Sequence, residues 1–249
     1  MKKLFLLALL ITSSTIICAQ VKLDKYLIKP ANESLKDAIN QFKAKQATAQ
    51  EDLQQALFNE DMHELIQAIM HGADLKDPIE DMFDTYPTAL HYAAAKNKTN
   101  AINVLIRYSV LVDIKDRFGN TPLHIAAKNG RIAAIKALIK NGAYVNATQA
   151  QGDTPLHYAS NTDYPQIAAV LIESGADINA RNRWGETPLH TAASDNNAIT
   201  VSELIRNGAE VNALTNHNSS PLDLAQSGSQ VYSILLVLGT LPGSRLKSS

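Results

Sequence analysis

A four-residue word recurs in this chain at a fixed interval, and that interval constrains the fold more than any composition does. Thr121-Pro122-Leu123-His124 returns as Thr154-Pro155-Leu156-His157 and as Thr187-Pro188-Leu189-His190, with Thr88-Ala89-Leu90-His91 preceding them as a variant. His91, His124, His157 and His190 therefore fall 33 residues apart each time. One more step reaches Ser220-Pro221-Leu222-Asp223, a degenerate copy. Gly-Ala pairs at 142, 175 and 208 keep the period, and Gly72-Ala73 belongs to an earlier copy with a loop four residues longer. Units this short cannot bury a core alone, so the period predicts a stack in which each unit is completed by its neighbours.

Each unit reads locally as two helices. Thr88, Thr121, Thr154 and Thr187 stand where an N-cap is needed, since a hydroxyl can accept from the orphan amides of a first turn. Proline follows three of them at the first helical position, where its missing N–H costs nothing. The next Leu opens a buried face, and small residues such as Ala126-Ala127 and Ala192-Ala193 let helices approach closely. A second helix carries Ile135, Leu138 and Ile139, then Ala168, Leu171 and Ile172, then Val201, Leu204 and Ile205, a spacing that lines one helical face. Gly142, Gly175 and Gly208 are expected as left-handed C-caps, and Gly119, Gly152 and Gly185 as tight-turn residues before the next Thr. Helices of about eight to ten residues are expected, too short to be stable alone.

The period and the Thr-Pro-Leu-His word resemble the ankyrin repeat. The resemblance implies an all-α solenoid of helix-turn-helix units joined by β-hairpin loops, about six repeats with degenerate ends. On this reading, residues 51–84 are a degenerate first repeat, and 85–117, 118–150, 151–183 and 184–216 are the second to fifth. Residues 217–239 are a degenerate C-terminal capping repeat and 240–249 a polar tail. Residues 20–50 are read as an N-terminal helical cap or a linker, with Leu35, Ile39 and Phe42 suggesting an amphipathic helix from about Ser34.

The first nineteen residues read differently. Met1-Lys2-Lys3 is a short cationic start, and Leu4 to Ile11 is a continuous apolar run. This is the pattern of a cleaved secretory signal peptide over 1–19, too short for a spanning anchor and broken by Thr12 to Thr15. Lipidation at Cys18 is the alternative, and Ile17 before it is a poor fit. Cys18 is the chain's one cysteine, so an intrachain disulfide framework and a cysteine-rich zinc site are excluded. Loss of Lys2 and Lys3 leaves 21 basic against 24 acidic residues. A chain this close to neutral is not a general coat for nucleic acid. The protein is therefore expected to be exported, to a periplasm or beyond, and a bacterial origin fits.

No catalytic arrangement stands out. The chain lacks a G-x-S-x-G elbow, a Walker loop, H-E-x-x-H and G-x-G-x-x-G. The histidine column is the tempting metal ladder, but stacked helices lie about 8–10 Å apart, whereas two ligands to one zinc need their nitrogens within about 4 Å. In the ankyrin family this His bonds to backbone and to the capping Thr. His63 and His71 match no metal spacing. Asp77, Glu80, Asp81 and Asp84 lack the register of a calcium loop and read as a solvated acidic loop. Asn32, Asn97, Asn146 and Asn218 head N-x-S/T sequons, which matter only in a eukaryotic host. Val231 to Leu238 is so continuously apolar that some side chain must face away from the stack, to be covered by the tail or by a partner.

The resemblance implies a protein-interaction module rather than an enzyme, without cofactor or metal, expected to be a monomer. A stabilising partner of an exported enzyme and a cryptic hydrolase are the other readings. In ankyrin folds the loop before Gly-x-Thr projects as a finger, and the residue before the Gly sits at its tip. Stepping by 33 gives Thr85, Phe118, Gln151, Trp184 and His217. Two fingers combine cations with an aromatic ring, Lys115-Asp116-Arg117-Phe118 and Arg181-Asn182-Arg183-Trp184. Arg and aromatic residues are enriched at interface hot spots, so Lys115, Arg117, Phe118, Arg181, Arg183 and Trp184 are the candidate partner-binding residues. The competing readings are that the rings pack on neighbouring fingers, or that binding uses the inner helices around Lys96, Lys128 and Asn161.

Overall fold

A computed structural model describes residues 32–80, 85–162, 164–239 and 242–243. The signal-peptide reading over 1–19, residues 20–31, Asp81 and Asp84 of the acidic loop, and most of the tail lie outside the described residues. The chain divides into two units at Thr48/Ala49. The described part of the first is helical throughout, within a helix α1 that spans Asn32–Asn59 without a break. The helix begins two residues before Ser34 and runs on past position 50. The side chains of Leu35, Ile39 and Phe42 are outside the described residues.

From Ala49 on, the described chain is a succession of helix pairs. The end of α1 pairs with α2 (Met62–Met70), and Leu53, Ala56, Leu57 and Leu65 supply the buried contacts. Asp61 caps α2 by accepting from His63 N and Glu64 N at 2.8 and 3.0 Å. The next pairs are α3 (Ala89–Ala95) with α4 (Thr99–Arg107), α5 (Pro122–Lys128) with α6 (Ile132–Lys140), and α7 (Pro155–Ser160) with α8 (Pro165–Glu173). The series closes with α9 (Pro188–Ser194) and α10 (Ala198–Arg206), then α11 (Pro221–Leu224) and α12 (Gln230–Val237). The leading helix of each full unit is six or seven residues, shorter than expected, and the following one is nine. The short helix ends early because its C-terminal turn already enters a left-handed residue, Asn97, Gly130 or Asn196.

The core is a column of repeated positions. Leu90, Leu123, Leu156 and Leu189 are fully buried, and so are Ala93 with Ala94, Ala126 with Ala127, and Ala192 with Ala193. Alanine at those places brings backbones together, and each buried Leu contributes about 1.5–3 kcal/mol. Gly142, Gly175 and Gly208 take φ of 88°, 90° and 96°, as the C-cap reading requires. One unit earlier, Ser109 is forced into the same conformation at φ 70°.

Among the described residues the expected β-hairpin loops form a strand pair once. In the long first loop, β1 (Ile79–Glu80) runs antiparallel to β2 (Thr85–Tyr86), with Ile79 opposite Tyr86 and Glu80 opposite Thr85. The later loops are single turns, too short to hold a second ladder pair. The last unit departs most from the period. Helix α11 stops after four residues because Ala225 turns extended, at ψ 137°. Buried Val231 and Leu235 of α12 then fall 31 residues after Thr200 and Leu204, rather than 33. As expected from the apolar run, Leu236, Val237 and Leu238 are exposed, Val237 at 86%. No described helix is long and apolar enough to cross a membrane.

Candidate functional site

The fingers are built from one polar acceptor per unit. In the second unit, Asp116 Oδ1 accepts from Phe118 N and Asn120 N, each at 2.8 Å, and Oδ2 accepts from the Asn120 amide at 2.9 Å. In the fourth, Asn182 Oδ1 accepts from Trp184 N and Glu186 N, each at 3.0 Å. Gln149 fills the place in the third finger and accepts from Gln151 N. In the last, Thr215 Oγ1 accepts from His217 N and Ser219 N at 3.3 and 3.1 Å. Each side chain thus folds a turn that would otherwise leave its amides unpaired. Asp116, Gln149, Asn182 and Thr215 lie 33 apart, a signal present in the sequence but hidden because four residue types share one task. Asn218 takes the left-handed place of the turn glycine at φ 63°.

Neighbouring fingers are stitched edge to edge. Ala150 N donates to Phe118 O at 2.9 Å, Arg183 N to Gln151 O at 2.9 Å, and Asn216 N to Trp184 O at 2.8 Å. The fit is close enough to exclude a side chain, since a Cβ on Gly119 would lie 2.9 Å from Ala150 N and one on Gly185 would lie 2.9 Å from Asn216 N. Lys115 Nζ donates to Thr148 O at 2.9 Å, and Arg181 Nη2 donates to Leu214 O, each 33 residues ahead. These two cations therefore anchor one finger to the next while keeping their charge.

The remaining candidate residues face solvent. Phe118 is 53% exposed and Trp184 46%. The Arg117 guanidinium lies over the Phe118 ring, 4.6 Å from its centre. Arg183 is exposed and fixed only through its backbone. The structure thus splits the six residues into two that staple fingers, Lys115 and Arg181, and four that present outward.

Behind the fingers, the histidine column couples each helix cap to the next unit. Thr88, Thr121, Thr154 and Thr187 each place Oγ1 2.9 Å from the Nδ1 of the His three residues on. Each Nε2 lies 3.1 Å from a carbonyl 29 residues ahead, at Asn120, Asp153, Glu186 and Ser219. Thr121 N also donates to His124 Nδ1 at 3.2 Å, so Nδ1 is the acceptor and Nε2 carries the proton. Burial holds all four imidazoles neutral by lowering their pKa, that of His124 to about 4. Both ring nitrogens serve the fold.

At the end of the column the chemistry inverts. Asp223 Oδ2 accepts from Ser220 N, Ser220 Oγ and Gly243 N, each at 2.7 Å. A carboxylate replaces the imidazole where the next partner is an N–H of the tail instead of a finger carbonyl. Burial would raise the Asp223 pKa, but the hydrogen bonds from Gly243 and Ser220 outweigh it and lower it.

The inner-helix alternatives are less free. Lys96 lies over the Tyr86 ring at 5.5 Å. Asn161 lines a polar recess with Thr162, Tyr164, Asp195 and Asn197, where burial raises the Asp195 pKa. The Asn197 amide is already donated to Thr162 O. Lys128 is exposed. Compared with known families, residues 53–149 and 110–182 match the model described as Ankyrin repeats (3 copies), and residues 171–225 match Ankyrin repeats (many copies). A comparison with curated proteins finds no match.

Proposed function

The chain belongs to the ankyrin-repeat family, whose domains are typically non-catalytic modules for protein–protein interaction, and from that premise we propose that this protein holds a protein partner on its finger surface, with Phe118 and Trp184 as the anchors. The observation that carries the reading is that both rings stand about half exposed on a scaffold that is otherwise rigidly hydrogen-bonded. Gln151 fills the same place between them, so the turn itself does not call for an aromatic ring. Rigid aromatic side chains lose little entropy on binding and are the usual centres of interface energy. Arg117 and Arg183 flank the rings, while Lys115 and Arg181 hold the two fingers in register.

The Lys2-Lys3 start and the apolar run from Leu4 support export, with the mature chain beginning at Gln20, in a periplasm or outside the cell. Crosslinking and affinity capture from the exported fraction test both parts at once. Phe118→Ala with Trp184→Ala should weaken capture by about 2 kcal/mol or more while leaving circular dichroism unchanged. Unchanged capture by the folded variant would move the site to the inner helices. A mass beginning at Met1, or a lipidated Cys18, would refute the cleavage.

A further inference from the structure

We propose that the finger surface takes an acidic partner segment, bound extended, with carboxylates about six residues apart. The inference rests on the reading that the fingers are the binding surface and adds the chemistry of what they bind.

It starts from an asymmetry between the two signs of charge. Three finger carboxylates, Asp116, Asp153 and Glu186, are hydrogen-bonded within the fingers and half-buried, whereas Asp177 and Glu210 at the finger bases are exposed. Asp116 is consumed by three N–H groups, Asp153 Oδ2 accepts from the Gln149 amide at 2.7 Å, and Asp153 Oδ1 accepts from the Asn182 amide at 2.8 Å. Glu186 Oε2 accepts from the same Asn182 amide at 2.9 Å. The cations point outward or sideways. Among the described residues, the ion pairs are Lys98 with Glu60 and Arg206 with Glu203, neither on a finger. Arg117 and Arg183 therefore present uncompensated guanidinium groups, and Lys115 and Arg181 add charge that a backbone carbonyl does not neutralise. The two tip segments, 115–118 and 181–184, hold four cations against one carboxylate, Asp116, although the chain as a whole carries a net charge of -1. A complementary partner is acidic, since juxtaposed like charges are costly.

The geometry narrows the class further. The Arg117 guanidinium already lies over the Phe118 ring, 4.6 Å from its centre, which leaves its N–H groups for a carboxylate. The two Arg–aromatic tips are two units apart, which at about 8–10 Å per packing step is about 16–20 Å. An extended chain rises about 3.3 Å per residue, so about five or six residues span the gap, and six, the even number, places both carboxylates on one face.

The test is fluorescence anisotropy with a labelled peptide of Ser and Thr that carries two Glu-Glu pairs six residues apart. Companion probes place the pairs three apart, replace Glu by Lys, or are a single-stranded oligonucleotide of similar length. The six-spaced Glu peptide should bind, weaken with added salt, and bind more tightly than the three-spaced one. Arg117→Ala with Arg183→Ala should weaken it about tenfold or more, as loss of charge-assisted hydrogen bonds implies, and Arg206→Ala on α10 should leave it unchanged. No binding, equal binding of the Lys peptide, tighter binding of the oligonucleotide, or indifference to the double substitution would each overturn the proposal. If the Glu peptides fail while Phe118→Ala with Trp184→Ala still loses the captured partner, the finger surface stands and the acidic class falls.

Discussion

Acid should destabilise this stack through its histidines, and His124 allows the size to be worked out. Its imidazole is buried, accepts from Thr121 N and faces Asp153 O, and its pKa is lowered from 6.5 to about 4. Above pH 6.5 the ring is neutral whether the chain is folded or unfolded, so it contributes no pH dependence. Below 6.5 the unfolded chain binds a proton that the folded chain refuses, so stability falls with pH until the folded ring also titrates, near 4. One pKa unit corresponds to about 1.4 kcal/mol, which makes the loss from His124 alone about 2 kcal/mol at pH 5 and at most about 3.4 kcal/mol at lower pH. His91, His157 and His190 are lowered for the same reason, desolvation, and add in the same direction. Asp223 acts below its ordinary 3.8, outside this window, and Asp77 and Asp195, raised by burial, oppose the trend only in the carboxylate range. The assay is urea unfolding followed by far-ultraviolet circular dichroism at several pH values from about 7.5 to 5. His124→Ala should lose about 1–3 kcal/mol at neutral pH, because Thr121 N and Asp153 O lose their partner. Its stability should then decline with acid less steeply than the wild type, by about 1.4 kcal/mol per pH unit. A wild-type stability that is flat down to pH 5, an unchanged slope in the variant, or stoichiometric zinc in the purified protein would refute the reasoning.

Two further predictions concern stability. Ser109 sits at φ 70° where later units have glycine, so Ser109→Gly should stabilise the protein by about 1 kcal/mol, read as a higher urea midpoint; a lower midpoint would show that the serine makes an offsetting contact. Asp223 joins the Ser220 cap to Gly243, so Asp223→Ala and removal of residues 240–249 should each lower stability by about 1–2 kcal/mol, and together by less than their sum; additive losses, or none on truncation, would sever the link.

Much of the fold was legible because its determinants are local. A threonine that caps, a proline at the first helical position, and glycines at left-handed turns act within a few residues, and a 33-residue period multiplies each signal. The apolar faces of the second helices were legible for the same reason, and so was the exposure at the end of α12, since five consecutive apolar residues cannot all face one side of a helix. Where a task can be done by several residue types, the sequence was mute. Asp116, Gln149, Asn182 and Thr215 look unrelated until the backbone shows each accepting from the amide two residues on, and three of them from the amide four on as well, and Ser109 does not advertise a positive φ. The candidate site divided along the same line. Arg117, Phe118, Arg183 and Trp184 could be placed at finger tips by counting, because tip position is a property of one turn. That Lys115 and Arg181 spend their donors on the next finger required the distance between units, and that distance is set by the buried alanines of the stacked helices. The place of Gly243 against Asp223 was decided in the same way, since a hydrogen bond between residues 20 apart exists only once the stack has fixed where both ends lie.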